Sequence, residues 1–395
     1  MKKTLFVSPP QPLTTRVGAS GIRMDTMKAA CFDVYQRIPI NSGGDWYAYQ
    51  LFSDIAQHAR TAVYFTLRDN LKQGYCPRTV NFTQSHIKPL VPWGTLSMIL
   101  EQMRPDVLLN KSSVNQIEAD VVFTLVYTFN IARYVARKNR CPLVMVMQNI
   151  EWQYLKHNHS PFYPLMRLYE RHAVRVADAV VTLSPHDYSY VAERTAHKKV
   201  FYVPPKLDET TFSASATPRY DFGNDKLNVL FYGSLDRRYN VDALEFVKYE
   251  LIPRLKERGL LRDIRINVFG SGEPPAKFDL NHDRDINFLG FVDDPGSYVR
   301  GADVVIAPIT NPSGMKVRVI EALACGKPVV GTPEAVVGLP YELRDAVTVR
   351  RTAEEFIEAI LSLNGRSIPA TPEGRTIEAC SSLKINTMKE VFDFI

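Results

Sequence analysis

The sequence predicts an α/β protein of two domains, each built on a parallel sheet that helices cover. Its 395 residues exceed the size at which a single hydrophobic core usually stops growing. Residues 303–332 read as a buried β-branched strand, a polar turn with a glycine, a helix that is apolar nearly all round, and the start of another strand. Residues 227–255 repeat the order of strand, glycine turn and helix. This repetition indicates two Rossmann-like units.

The composition is that of an ordinary soluble globular protein, with 45% hydrophobic and 23% charged residues. The five cysteines are scattered without metal-ligand spacing, which indicates a reducing compartment and no disulfide framework. The N-terminus holds too few apolar residues for a signal peptide, and no apolar run approaches the length of a membrane-spanning helix. These features predict a cytoplasmic protein.

The charge is unevenly distributed along the chain. Residues 1–206 carry 25 Lys and Arg against 14 Asp and Glu, whereas the remainder carries 23 against 28. A basic first half suits an acidic membrane surface or an acceptor that bears a pyrophosphate. Leu165–Ala177 reads as a basic amphipathic helix, and Phe162 and Tyr163 next to it could rest on a membrane. The alternative is a solvated helix face.

The first strand of the N-terminal half can be placed in two ways. Thr4–Ser8 is a compact apolar run followed by two prolines, whereas Cys31–Gln36 would bury Asp33 inside a sheet. Because of that buried acid, Thr4–Ser8 is the preferred first strand. Residues 9–41 then form an inserted loop, and loops of this length are usually functional or disordered.

Glycines and apolar periodicity place the next elements. Gly43 and Gly44 form a turn that leads into an amphipathic helix and then into a strand near residue 63. The segment Trp93–Met103 reads as a further helix. The glycine pair is a candidate acceptor-binding turn.

A strongly apolar strand, Pro142–Met147, ends at a group of polar residues. Gln148, Asn149 and Glu151 follow it directly. Ligands of open α/β sheets bind at the carboxyl ends of the strands, so these side chains are candidates for contacts with a sugar. Gln148 can donate and accept hydrogen bonds but cannot act as a general base. The alternative is that these residues only cap the next helix.

Proline and hydroxyl residues mark a linker in the middle of the chain. Pro204–Pro205 and the Ser/Thr-rich stretch Thr210–Thr217 precede the next regular strand. The predicted domains are therefore 1–206 and 207–381. A last helix is expected at about 382–395.

The second domain opens with a strand that ends at Gly233. The helix after it is expected to be capped by Asn240 and carries an apolar stripe. A later strand ends near Gly270 and Gly272, which is weak evidence for a ligand turn on its own.

The segment after the strand at 304–307 holds the chemistry-bearing residues. The turn with Gly314 places free backbone N–H groups and a positive helix end at the mouth of the sheet, where phosphates bind. Lys316 adds a mobile positive charge there. Glu321 is an acid within an apolar helix, and a ribose diol offers the two hydroxyl donors that it needs. The alternative is a plain ion pair between Glu321 and Arg318.

The stretch SGMKVRVIEALACGKPVVGT, residues 313–332, resembles the donor-site signature of family 4 glycosyltransferases with the GT-B fold. In that family a glutamate at the position of Glu321 holds the nucleotide ribose. A second glutamate is usual where this chain has Ser313, and the chain matches a subgroup whose turn reads Ser-Gly-x-Lys. The resemblance covers about residues 42–395 and is strongest over 227–338.

The resemblance implies two Rossmann-like domains facing each other across a cleft, the second binding a nucleotide sugar and the first a glycan or lipid-linked acceptor. It implies sugar transfer to a hydroxyl group, with retention at the anomeric carbon, in the synthesis of cell-surface polysaccharide or other glycans. Neither a metal ion nor a cofactor beyond the donor is expected, nor is nucleic acid. The implied catalytic residues are Lys316 and Gln148. The implied donor-binding residues are Gly233, Arg237, Arg238, Gly270, Gly314, Met315, Lys316 and Glu321, and the implied acceptor-binding residues are Gly43, Gly44, Asn149 and Glu151.

The chain also departs from the family pattern. Ser234 and Tyr239 stand where the family commonly supplies an arginine and a lysine for the diphosphate, although Arg237 and Arg238 lie between them. These two arginines could instead be solvated loop residues. Gln148 stands where family members often have a histidine.

The sequence is also compatible with other functions. A sugar-nucleotide epimerase uses the same architecture but needs paired acids and a histidine, and a non-catalytic sugar-nucleotide-binding subunit would tolerate the departures. An NAD-dependent dehydrogenase lacks the required glycine spacing. Asp283 and Asp285 form a DxD pair, which in a different glycosyltransferase fold binds a metal ion; its position before a strand of the second unit argues against that role here.

Overall fold

The computed structural model describes residues 27–35, 43–68, 83–86, 114–195, 199–207, 211–216, 218–312, 314–363 and 385–395. They form two compact units that divide at Pro205–Lys206, and residues 385–395 belong to the first unit. No helix in these ranges is both long enough and apolar enough to cross a membrane.

The first unit contains a seven-stranded parallel sheet. Its strands are β1 (Lys28–Tyr35), β2 (Thr61–Arg68), β3 (Thr83–His86), β4 (Val121–Thr124), β5 (Leu143–Met147), β6 (Ala179–Thr182) and β7 (Lys199–Tyr202), in the spatial order β3-β2-β1-β4-β5-β6-β7. The strands β4, β5 and β6 are buried along their whole length, as expected for a parallel sheet with helices on both faces. Those helices are α1 (Gly43–His58), α2 (Phe129–Asn139), α3 (Glu151–His157), α4 (Tyr163–Val176) and α5 (Pro185–Ala192).

The alternative that the sequence analysis did not prefer, a strand at Cys31–Gln36, is the one that the structure supports, because Lys28–Tyr35 pairs with both β2 and β4. The buried acid that argued against it, Asp33, accepts a hydrogen bond of 2.9 Å from the hydroxyl of Tyr64 on β2. That bond offsets part of the cost of burying the carboxylate. A strand also lies within residues 9–41, so this stretch is not simply a loop. Thr4–Ser8 and Trp93–Met103 lie outside the described residues.

The second unit contains a six-stranded parallel sheet. Its strands are β8 (Leu227–Tyr232), β9 (Ile264–Phe269), β10 (Ile286–Gly290), β11 (Val304–Ala307), β12 (Val329–Gly331) and β13 (Val347–Val349), in the spatial order β10-β9-β8-β11-β12-β13. The helices that accompany it are α6 (Arg238–Glu245), α7 (Ile252–Glu257), α8 (Pro295–Gly301), α9 (Val317–Ala324), α10 (Pro333–Val336), α11 (Tyr341–Arg344) and α12 (Ala353–Leu363). The prediction of two Rossmann-like parallel-sheet domains is confirmed.

The helix after β8 differs from the prediction at its start. Arg237, not Asn240, occupies the position before the first helical residue, and Asn240 lies inside α6 with 1% of its surface exposed. A π-helical segment, Phe246–Leu251, continues α6 into α7. The predicted apolar stripe along this helix is confirmed, since Leu244, Val247, Leu251 and Leu255 are all fully buried.

The C-terminal helix α13 (Met388–Phe394) packs into the core of the first unit. Met388, Val391 and Phe392 are buried there, and the ring of Phe392 lies 5.6 Å from that of Phe123 on β4. The helix begins later than predicted because Thr387 caps it: the Thr387 side chain accepts from the Glu390 N–H, and Glu390 accepts from the Thr387 N–H.

Candidate functional site

The strand order of the second sheet fixes where a ligand is expected. The chain runs outward from β8 through β9 to β10, and then starts again on the other side of β8 with β11. Adjacent crossover helices therefore lie on opposite faces at the β8/β11 boundary, which leaves a crevice at the carboxyl ends of these two strands. Gly233 follows β8, and the turn before α9 follows β11. The residues of both segments that the sequence analysis predicts to bind the nucleotide sugar therefore lie at this crevice.

The turn after β8 requires glycine. Gly233 has φ +150°, and a Cβ there would lie 2.4 Å from Nη2 of Arg318. A Cβ on Gly270, at the end of β9, would lie 1.8 Å from the carbonyl oxygen of Gly233. Both glycines therefore allow backbone and a cationic side chain to approach closely at the mouth of the sheet. Gly270 has a packing role beside its predicted role near the base.

Glu321 is held from the neighbouring strand. The hydroxyl of Tyr232, the last residue of β8, lies 3.1 Å from Oε2 of Glu321 and 2.9 Å from the carbonyl oxygen of Arg318. Burial, followed by the charge of Glu321, raises the pKa of Tyr232 well above its usual value, so the phenol stays protonated and can donate. Glu321 itself is half-buried. The carboxylate is thus oriented on α9 next to the end of β8.

Lys316 lies immediately before α9 and is only 9% exposed. Its Nζ donates to the carbonyl oxygen of Gly314 at 2.8 Å, so the charge is held at the turn and is not mobile as expected. Gly314 has φ +70°, which favours glycine, and a Cβ on Gly338 would come within 2.8 Å of the Gly314 carbonyl oxygen. Met315 is half-buried, and Ser313 lies outside the described residues.

Arg318 is the residue of this region that the sequence analysis did not select as functional. Its Nη2 donates to Oδ1 of Asn240, and Asn240 Nδ2 donates to the carbonyl oxygen of Ser234 at 2.8 Å. The guanidinium also lies 5.5 Å from the ring centre of Phe231. The predicted alternative, an ion pair between Arg318 and Glu321, is not the contact observed, because the hydrogen bond of Arg318 goes to the amide of Asn240.

The two arginines after Gly233 differ in their surroundings. Arg238 is 64% exposed and forms an ion pair with Asp242 at 2.8 Å, one turn further along α6. Arg237 is half-buried and precedes the helix. An exposed pair of the Arg238 type contributes little stability, so Arg238 can exchange Asp242 for another anion.

In the first unit, the predicted acceptor-side residues follow β5. Gln148 and Asn149 are half-buried, and Nε2 of Gln148 is buried without a hydrogen-bond partner among the described residues. A buried amide without a partner is costly unless a ligand or water completes it. Gly43 and Gly44 are the first residues of α1, so the expected glycine turn is the beginning of a helix.

Glu151 belongs to a buried acidic pair whose second member the sequence analysis missed. Glu170 on α4 is 2% exposed and accepts the N–H groups of Glu151 at 2.8 Å and Trp152 at 3.3 Å, at the start of α3. The Tyr127 hydroxyl donates to Oε1 of Glu151. Burial, followed by the charge of Glu151, raises the pKa of Glu170 to about 8. Glu151 is the first residue of α3 and Ile150 occupies the cap position, so the alternative in which Glu151 caps this helix is not the arrangement observed.

The DxD pair is used within the protein. Asp283 pairs with Lys248 at 2.8 Å and accepts the N–H groups of Asp285 and Ile286, and Asp285 lies 3.5 Å from Lys256. In the described part of the chain, no group of three or more His, Cys, Asp or Glu side chains is placed to hold a metal ion.

Part of the second unit matches a known protein family. Residues 226–365 match the family described as "Glycosyl transferases group 1", a range that lies within the second unit. No curated protein matches the chain.

Solved structures share the whole fold at low sequence identity. Sucrose-phosphate synthase from Thermosynechococcus elongatus aligns with a TM-score of 0.65 and 16% identity, over 88% of this chain and 92% of that one. HepE from Anabaena, in complex with UDP and glucose, aligns with a TM-score of 0.64 and 16% identity, over 92% and 96%. A glycosyltransferase from Rickettsia africae aligns with a TM-score of 0.57 and 15% identity, over 87% and 90%.

These alignments extend over both units, and the two parallel sheets have the strand orders of Rossmann-like domains. The chain therefore has the GT-B fold, and its residues 226–365 match the glycosyl transferases group 1 family.

Proposed function

We propose that this protein transfers a sugar from a nucleotide-diphosphate donor to a hydroxyl group of a glycan or lipid-linked acceptor. The observation that carries the proposal is the group of Glu321, Lys316 and Gly233 at the β8/β11 crevice. A half-buried carboxylate, a cation held at a turn and a close-packed glycine suit the ribose and diphosphate of one nucleotide. The group lies inside the range that matches the glycosyltransferase family.

Each residue proposed to bind the nucleotide sugar has a specific chemical role. Glu321 accepts from the ribose hydroxyls, and Tyr232 fixes its orientation. Negative charge grows on the departing diphosphate during transfer, and fixed donors in a partly dry site stabilise such charge strongly. Lys316, Arg237 and the backbone amides of Gly314 and Met315 are the groups proposed to donate hydrogen bonds to the diphosphate. These cationic and amide groups could stabilise the departing diphosphate without a metal ion, and retention at the anomeric carbon is part of the proposal.

The first unit is proposed to bind the acceptor. At the end of β5, Nε2 of Gln148 has no hydrogen-bond partner among the described residues. Asn149 is its half-buried neighbour. Both can exchange hydrogen bonds with sugar hydroxyls. Glu151 and the N-terminus of α1, with Gly43 and Gly44, complete the proposed acceptor side.

A lipid-linked acceptor would bring the protein to an acidic membrane surface. On α4, Leu165 is 45% exposed and Leu168 is 67% exposed. Arg167, Arg171 and Arg175 are exposed on the same helix, and its acid, Glu170, is buried. Apolar side chains flanked by arginines suit the interface of an anionic bilayer. We therefore include peripheral contact with the inner face of the membrane, in polysaccharide or glycan synthesis.

This membrane contact is tested by sedimentation with vesicles. The wild type should bind phosphatidylglycerol vesicles better than phosphatidylcholine vesicles, and a variant with L165S and L168S should lose most of that binding. Tyr249→Ser removes a large side chain of the second unit that is 52% exposed, between the values of Leu165 and Leu168, and is the control. Equal sedimentation of all proteins with both vesicles would exclude the contact.

The central proposal is tested first by a thermal-shift panel of UDP-, GDP- and dTDP-sugars. The nucleotide sugar that stabilises the protein is then supplied with a labelled sugar, and its turnover is measured. A ligand that binds only the folded state raises its stability by an amount that grows with the ratio of ligand concentration to dissociation constant. Transfer of label to an acceptor or to water supports the transferase. Conversion to an isomeric nucleotide sugar would indicate an epimerase, and binding without turnover would indicate a non-catalytic subunit. A panel that produces no shift would contradict donor binding.

A further inference from the structure

Arg318 reaches from the helix after β11 to the turn after β8. Its Nη2 is so close to the Gly233 backbone that a Cβ at that position would lie 2.4 Å away. The guanidinium therefore spans the β8/β11 boundary, the place where ligands of such sheets bind. It lies between two segments that already carry the proposed donor residues.

The hydrogen bonding of Arg318 is incomplete. Nη2 donates to the neutral amide of Asn240, whereas Nη1 is buried and has no hydrogen-bond partner within the described residues. Burial lowers the pKa of Arg318, and the nearby Tyr239, Tyr232 and Glu321 only partly oppose that effect. Burying a cation whose N–H groups lack acceptors costs free energy. We therefore expect Arg318 to gain an anionic partner when a nucleotide binds.

Two other cations near the turn, Lys316 and Arg238, each have a partner within the protein. Lys316 donates to the Gly314 carbonyl oxygen, and Arg238 pairs with Asp242 on the surface of α6. Arg318 differs because its contact with Asn240 holds one arm of the guanidinium and leaves the other for a ligand. The planar fork of an arginine suits a phosphate in this arrangement. The residue is half-buried as a whole, and Nη1 would have to turn towards the crevice to meet a phosphate there.

We infer that Arg318 binds the diphosphate of the nucleotide donor through Nη1, while Asn240 holds its Nη2. This inference rests on the proposed function and adds to it the residue that recognises the diphosphate. Gly233 is then required because any side chain there would displace the guanidinium. A purely structural role, in which Arg318 only joins α9 to α6 through Asn240, is the competing explanation.

The test compares nucleosides with their diphosphates. Dissociation constants of uridine and UDP, guanosine and GDP, and thymidine and dTDP are measured by ligand-observed NMR for wild type and for Arg318→Met. The variant should bind the preferred diphosphate about 10- to 100-fold more weakly, because a charge-assisted bond is lost. Its affinity for the matching nucleoside should change less than about twofold.

Two further variants complete the design. Arg262→Met removes an exposed arginine of the same unit, 82% exposed at its side chain, and should leave both affinities unchanged. Arg318→Lys keeps the positive charge but lacks the planar pair of guanidinium N–H groups, so it should lose part of the diphosphate affinity. This variant replaces Arg318→Met in the test if Arg318→Met does not fold.

An unchanged ratio of nucleoside to diphosphate affinity in Arg318→Met, or in Arg318→Lys if the first variant does not fold, would overturn the inference and leave the proposed function standing. A wild type that binds none of the diphosphates would instead contradict the proposed function itself.

Discussion

The two sheets share the order of their first six strands, but different ionisable groups lie near the carboxyl ends of those strands. In the second unit, Lys316 and Arg318 are cations held by a carbonyl and an amide beside glycine turns. In the first unit, Glu151 and Glu170 are buried acids joined through the start of α3. The same topology therefore presents the proposed anion site in one unit and a buried carboxyl group with a raised pKa in the other. Strand order places a site, and side-chain chemistry decides what it can bind.

The largest effect that would sharpen this comparison is expected at Lys316. Lys316→Ala should lower turnover of the nucleotide sugar about 10²-fold, because one fixed cation near the growing negative charge is lost. Lys256→Ala removes a 69%-exposed lysine of the same unit and is the control. Steady-state kinetics with a saturating acceptor provide the measurement. Equal turnover of both variants would remove Lys316 from the mechanism.

A second effect is expected at the glycine of the anion site. Gly233→Ala should lower the free energy of unfolding by about 1–3 kcal/mol, because the new methyl group meets the guanidinium of Arg318. Gly259→Ala also introduces a side chain at a positive φ, +68° against +150° at Gly233, but no heavy atom lies within 4 Å of the added Cβ. Denaturant unfolding of the two variants shows how much more stability is lost where the added Cβ also meets a neighbouring side chain. The contact account would fail if both variants lost the same stability.

The smallest effect concerns the acidic site of the first unit. The folded state raises the pKa of Glu170 to about 8, above its usual value of 4.5, through burial first and then the charge of Glu151. The folded state therefore keeps a proton that the unfolded chain releases. The stability from this group is present below pH 4.5 and declines as the pH rises towards 8. Tyr127 and Asp187 also face this site.

Glu170→Gln cannot ionise, so it should not share that decline. Its melting temperature relative to wild type should rise from pH 5 to pH 8, as measured by differential scanning calorimetry. Glu193→Gln, at a 71%-exposed residue of the same unit, is the control and should show no such trend. A difference between Glu170→Gln and wild type that stays constant with pH would show that Glu170 is ionised throughout.

Local patterns in the sequence predicted most of the second unit. The strand at Val304–Ala307, the turn with Gly314 and the helix at Val317–Ala324 follow one another in a single segment, so periodicity and turn residues are sufficient to locate them. The same reasoning placed Glu321 on that helix.

Contacts between distant residues explain what the sequence did not predict. Asp33 looked unsuited to a strand because its donor, Tyr64, lies on another strand 31 residues away. Asn240 looked like a helix cap because its real partner, Arg318, is 78 residues away. Glu170 was missed since nothing in its own helix indicates that it receives the N–H groups of α3.

The central claim is that Glu321 binds a ribose, and one double-variant comparison tests it most directly. Affinity for the preferred nucleoside diphosphate and for its 2′,3′-dideoxy analogue is measured for wild type and Glu321→Ala. The wild type should prefer the ribonucleotide by about 10-fold or more, because hydrogen bonds to a charged group are lost with the hydroxyls. Glu321→Ala should bind both ligands alike. A preference that is the same in both proteins would contradict the account.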